Sequence, residues 1–173
     1  MIFHDFEVFK YDWLVCIIDT DRRVAYSIVN DANKLKEVYE ANSSNIWVGF
    51  NNRHYDQYIL KGILLGMDPK KINDQIIIEE KEGWKISRAF NDIPLISYDV
   101  MPNPPKGLKL LEGFMGSDIR ETDVPFNLDR HLTDAEIQQT IKDCMHDVEQ
   151  TYKVFLQTTD VFNAMLGIVK ASQ

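Results

Sequence analysis

The chain has little cysteine, no long apolar run and no surplus of positive charge, and each lack excludes something. Its two cysteines, Cys16 and Cys144, belong to no C-x-x-C pair and to no zinc-binding pattern. A disulfide framework and a zinc module are thereby excluded, and two reduced, partly buried thiols in a cytoplasmic protein are expected. No stretch approaches the ~18–20 apolar residues of a membrane span. The opening Met1-Ile2-Phe3-His4-Asp5 has no basic segment leading into an apolar one, so no signal peptide is expected. Internal repeats, low-complexity tracts and long linkers are missing as well. The balance of 19 Lys and Arg against 27 Asp and Glu, net −8, argues against a protein that clings to duplex nucleic acid by charge alone.

What is present suffices for one domain spanning residues 1–173, since 45% of the residues are hydrophobic. The first third reads as strands broken by short polar turns: Ile2–Phe9, Trp13–Asp19 and Val24–Val29. Connections this short make the three strands antiparallel neighbours. Asn30 or Asp31 can cap a helix through about Ala41. Asn45–Phe50 reads as a buried strand and Tyr55–Leu65 as a helix stopped by Gly66. Ile72–Ile78 fits helix or strand, Trp84–Phe90 reads as a strand, and Ile93–Val100 is stronger strand material.

After the breaks at Pro102, Pro104, Pro105 and Gly107, Leu108–Met115 reads as a short helix. Thr133-x-x-Glu136 is a capping box that opens a long helix with an apolar stripe at Ile137, Ile141, Cys144, Val148, Tyr152 and Phe155. A last amphipathic stretch runs over about 160–170 and is suited to docking. The fold expected from this order is α/β, a mixed sheet of three antiparallel strands followed by parallel ones, flanked by helices as in ribonuclease H-like proteins.

Three segments concentrate carboxylates and amides. Asp5 and Glu7 lie two apart in the first strand, so both point to one face while Phe6 points to the other. Two acids side by side in an apolar strand are costly without a positive partner, which a divalent metal supplies; a solvated edge strand would also tolerate them. Asn51, His54, Tyr55 and Asp56 fall where a buried strand ends and a helix begins, the place where α/β proteins usually hold ligands, although turn and cap residues have the same composition. Asp143 and Asp147 are four apart on the long helix, hence on one face, where like charges repel unless something is bound between them or water bathes them. His54 and His146 also suit plain surface positions, Lys70-Lys71 suits a solvated one, and Trp13, Trp47 and Trp84 suit packing.

In order and character these segments resemble the Exo I, II and III motifs of the DEDD superfamily of 3′→5′ exonucleases. Asp5-x-Glu7 looks like Exo I, Asn51-x-x-x-Tyr55-Asp56 like Exo II, and Cys144-x-x-Asp147-Val148-x-x-Thr151 like the end of Exo III. Pro105–Gly116, Val124-Pro125-Phe126 and Leu132-Thr133 are similar to the family's run-up to Exo III, so the resemblance covers nearly the whole chain. It is nearest to proofreading-type domains encoded by bacteriophages, often at the N-terminus of a DNA polymerase.

The resemblance implies hydrolysis of DNA from a single-stranded or frayed 3′ end to 5′-mononucleotides. Two Mg²⁺ or Mn²⁺ ions would be held by Asp5, Glu7, Asp56 and Asp147. Asn51 and Tyr55 would position the strand or the carboxylates, and a DNA polymerase domain or subunit would be the partner; His54, next to Asp56, is a candidate phosphate or base contact to the substrate. Where the family places a Tyr or a His to orient the attacking water, this sequence has Asp143 and Lys142. Asp143 is expected to take over that task or to add an acidic ligand. A 3′→5′ exoribonuclease or oligonucleotidase, and a catalytically silent module that only binds nucleic acid, stay open alternatives, because nothing in the motifs reads a 2′-hydroxyl.

Overall fold

The structure, a computed structural model, describes residues 1–101 and 123–158. The expected helix at Leu108–Met115 and the stretch at about 160–170 lie outside the described residues. No helix among the described residues is long and apolar enough to cross a membrane.

Among the described residues the architecture is α/β around a five-stranded mixed sheet. Strands β1 (Ile2–Val8), β2 (Trp13–Asp19) and β3 (Val24–Val29) form an antiparallel meander. Strands β4 (Ile46–Gly49) and β5 (Ile96–Asp99) join in parallel on the other side of β1, giving the order β3-β2-β1-β4-β5. β1 is therefore central, and it is where the sheet changes from antiparallel to parallel pairing. β1 and β2 carry the long runs of Val, Ile, Leu and aromatic residues that favour a sheet covered on both faces.

Alternation along β1 divides the core in two. Ile2, Phe6 and Val8 face the side covered by α1 (Ala32–Ala41), α2 (Asp56–Leu64) and α3 (Pro69–Ile77), and pack with Leu35, Ile59, Leu60 and Ile72. Phe3 faces the side covered by α4 (Asp134–Gln157) and packs with Cys144, Val148 and Phe155. Asp5 and Glu7 share the parity of Phe3, so they point toward α4. Both thiols are buried, Cys16 on β2 and Cys144 on α4.

Helix starts follow local chemistry. The Asp31 carboxylate accepts the Lys34 N–H at 3.0 Å and caps α1. Asp68 accepts the Lys70 N–H at 2.9 Å, and Pro69 occupies the first turn of α3, so Ile72 falls in a helix. Thr133 and Glu136 form the expected capping box of α4. Arg130 grips the two Glu136 oxygens at 2.6 and 3.1 Å and so fixes the same end from outside.

Trp84–Phe90 does not form the expected strand. Two short 3₁₀ turns, Gly83–Lys85 and Arg88–Asp92, occupy the region. Gly83 lies against the Tyr58 ring, where a Cβ would sit 2.1 Å from a ring carbon. The Ser87 hydroxyl accepts the Ala89 N–H at 3.2 Å and starts the second turn. Phe90 alone of this segment's aromatics is buried; Trp84, expected in packing, is 63% exposed.

Candidate metal centre

Beyond Phe3, β1 has no partner on its β4 side, because the parallel register covers only Ile2 with Trp47 and Phe3 with Val48. β4 ends at Gly49 while β1 runs on to Val8, which leaves room at the carboxyl ends of the strands, the usual ligand position in open α/β sheets. Asp56 fills part of this gap: its Oδ1 accepts the Phe6 backbone N–H at 3.0 Å. It stands at the first residue of α2 and is buried, where its charge also meets the positive end of the helix dipole.

The loop before it is shaped by two devices. Asn51 adopts a left-handed conformation, φ 58°, and its N–H donates to Asp99 Oδ1 at 2.8 Å, while the Arg53 N–H donates to Asp99 Oδ2 at 3.1 Å. Asp99, at the end of β5, thus pins the loop that carries Asp56. Asn52 is buried against Gly49, where an added Cβ would approach the Asn52 Cβ to 2.7 Å. Neither polar atom of its amide is hydrogen-bonded among the described residues. Asp99 carries no local signal in the sequence; its contacts to residues 46 and 48 positions away mark it.

From the opposite side, α4 lies over β1. Cys144 donates from Sγ to Asp5 O at 3.4 Å and to Asp5 Oδ2 at 3.6 Å, which ties the helix to the first acid. One atom each of Asp5, Glu7 and Cys144 lie within 4.8 Å of one another. Asp147 stands half-buried one turn after Asp143 on α4. Its charge raises the pKa of both Asp5 and Glu7. Asp143 is buried, and both its oxygens accept from Gln139 Nε2, at 3.0 and 3.1 Å.

The electrostatics of the group follow from burial and mutual repulsion. Desolvation, then Glu7, Asp56 and Asp147, push Asp5 well above the ordinary carboxylate range. Desolvation, then the charges of Asp147 and Asp56, raise Glu7 to about 8, with Asp143 adding to the push. Desolvation raises Asp56 to about 7 against the opposing pull of the Phe6 N–H. Carboxylates held this reluctantly ionised fit a hard divalent cation, which supplies the missing positive charge and accepts oxygen donors. Asp5, Glu7, Asp56 and Asp147 are the residues that could hold it.

Beside the acids is a cleft of 390 Å³ lined by Asp5, Glu7, Tyr55, Lys70, Ile77 and Phe126, among others. Tyr55 therefore reaches the cleft, and its hydroxyl donates to Asn73 Oδ1 at 2.5 Å. His54 is exposed and lines a separate cleft of 380 Å³ with Arg53, Gln57 and Trp84. Asn51 contributes its backbone to the loop geometry, and His146 is half-buried on α4. Lys70, expected as a solvated residue, lines the cleft instead. Compared with family models, with curated proteins and with solved structures, the chain matches none of them.

Proposed function

We propose that the protein is a metal-dependent 3′→5′ exonuclease of the DEDD type, acting on single-stranded or frayed DNA ends. The observation that supports this reading is the pair Asp5 and Glu7 on β1 with Asp56 bonded to the Phe6 N–H between them, beside a cleft and within the field of Asp147 on α4. These positions are far apart in sequence and coincide with the three motif segments. The strand order β3-β2-β1-β4-β5, with β2 antiparallel to both neighbours, supports a ribonuclease H-like assignment.

In the proposed reaction a water oxygen bonds to the terminal phosphorus, the P–O3′ bond breaks, and the leaving 3′ oxygen takes up a proton, releasing a 5′-mononucleotide. Mg²⁺ or Mn²⁺, when bound, lowers the pKa of the attacking water and stabilises charge on phosphorus and the leaving oxygen. Asp5, Glu7, Asp56 and Asp147 bind the cation. Asp143, one turn before Asp147 and held as an acceptor by Gln139, orients the water and takes its proton. Tyr55, on the cleft wall, and Asn51 and His54, in the loop before α2, are the proposed contacts to the substrate strand. A DNA polymerase domain or subunit is the proposed partner.

The test is digestion of 3′-labelled and 5′-labelled single-stranded DNA with Mg²⁺, Mn²⁺ or EDTA, beside Asp5→Ala and a matched RNA oligonucleotide. Metal-dependent shortening from the 3′ end, absent in Asp5→Ala and slower on RNA, is expected. No cleavage by folded protein with either metal overturns the reading.

A further inference from the structure

The cleft beside the acids has two unlike walls. β1 supplies Asp5 and Glu7, whereas α3 supplies Lys70, Asn73 and Ile77 from one helical stripe. Among the described residues lining the cleft, Lys70 is the one cation. Its side chain is only 25% exposed, and its ammonium bonds Asp74 Oδ1 at 2.6 Å rather than one of the cleft acids.

The same Asp74 oxygen accepts from Asn73 Nδ2 at 3.2 Å, and Asn73 Oδ1 accepts the Tyr55 hydroxyl at 2.5 Å. Tyr55, Asn73, Asp74 and Lys70 thus form one chain of hydrogen bonds, three of them on the cleft wall and Asp74 behind it on a neighbouring cleft. It restrains a side chain that otherwise carries four rotatable bonds, and it uses one of three ammonium protons, leaving two to donate. Lys71, the next residue, is exposed on the outer side of α3 and lines no part of this cleft.

A phosphodiester that approaches this acidic group brings more negative charge into a place already crowded with it. The Lys70 ammonium balances Asp74 across 2.6 Å, so the pair adds no net repulsion to an incoming phosphate, and its two remaining N–H donors can bond the part of the strand that bound metal does not reach. We propose that Lys70 is a phosphate-contacting residue: its ammonium donates to a non-bridging oxygen of a backbone phosphate next to the one that is cut, with Asn73 and Tyr55 holding it in position. The inference rests on the exonuclease reading for the identity of the ligand, a single-stranded phosphodiester, and it adds a substrate contact that the motif residues do not include.

The experiment measures anisotropy of a fluorescein-labelled oligo(dT) in Ca²⁺ over a KCl series, for the wild type, Lys70→Gln, Lys70→Arg and Lys71→Gln. Thermal melts confirm that each is folded. Lys70→Gln should weaken binding about tenfold at low salt and flatten the log K against log salt slope by about 0.7, the loss of one phosphate contact on a single strand. Lys70→Arg should stay within about threefold of wild type, and Lys71→Gln should keep the wild-type slope. Equal slopes for the two glutamine variants overturn the proposal, as does a wild type that binds Mn²⁺ but no oligonucleotide. Cleavage is scored in parallel with Mg²⁺. Cleavage that Lys70→Gln leaves unchanged in KM and kcat removes the role of Lys70 and keeps the exonuclease. Lys70-dependent binding without cleavage removes the exonuclease and keeps the contact.

Discussion

The Asp56 carboxylate accepts the Phe6 backbone N–H at 3.0 Å, so an acid from α2 takes the place that a neighbouring strand would hold beside the strand carrying Asp5 and Glu7. One side chain thus has a structural and a chemical task, and substitution separates them. Asp56→Asn keeps an oxygen for the Phe6 N–H and loses the charge. Asp56→Ala loses both. We expect both variants to lose more than about 100-fold in metal-dependent cleavage, beyond what loss of a supporting group alone would give. Only Asp56→Ala should also lose about 1–3 kcal/mol in urea denaturation at pH 5, from an orphaned buried donor.

Acid crowding makes stability depend on pH. Glu7 and Asp56 keep their protons up to about 8 and about 7 in the folded chain, against ordinary values of 4.5 and 3.8. Across that window the folded state binds more protons than the unfolded one, so stability of the metal-free protein falls as pH rises from about 5 to about 8. Bound Mn²⁺ or Mg²⁺ replaces those protons, so the Tm gained on adding metal should be larger at pH 8 than at pH 5 and should vanish with EDTA. Thermal melts at the two pH values, with metal and with EDTA, check both statements.

Asp143 should matter to rate more than to metal affinity. With both oxygens held by Gln139, it is placed as an acceptor beside the cluster. Asp143→Ala should lower kcat by about 10²–10⁴-fold, the range for loss of a positioned base, and shift the Mn²⁺ Kd by less than about threefold. Gln139→Ala should lower kcat less, and Asp143→Tyr should retain part of the activity lost in Asp143→Ala. Single-turnover cleavage and Mn²⁺ titration distinguish these effects.

Phe3 holds α4 to the sheet. It is fully buried, with the Tyr152 and Phe155 rings edge-on at 4.9 and 5.3 Å. Phe3→Ala should cost about 3–5 kcal/mol. The measurement is the urea midpoint at constant m. Because the same helix carries Asp147, the folded fraction should also bind Mn²⁺ more weakly.

The meander, β4 and the start of α4 were legible because each is written locally. Alternation along Ile2–Val8, short polar turns and the Thr133-to-Glu136 spacing need no distant partner to be read. The placement of Asp5, Glu7 and Tyr55 beside one cleft was legible for a similar reason: strand parity and a strand-to-helix junction aim them. The segment from Trp84 has the aromatic and apolar content of a strand, but the Gly83 contact with Tyr58 and the Ser87 turn decide its backbone. The Asp68-Pro69 pair could have settled Ile72–Ile78 as helix, being a cap followed by a first-turn proline. Asp99 and Lys70 gave no warning, because one acts through contacts across the fold and the other through a cleft that sequence spacing does not encode, whereas the i,i+4 spacing of Gln139 and Asp143 could have been read from the helix.

α4 behaves as an indexed shaft. Its start is locked by the Thr133–Glu136 exchange and by Arg130, and its acids ride further along the same rigid rod. One inserted residue between the lock and Asp143 would swing Asp143 and Asp147 together by about 100° about the axis and carry both off the sheet. The distance in sequence between a surface lock and a buried acid is therefore a quantised setting. Evolution can change it only in whole turns.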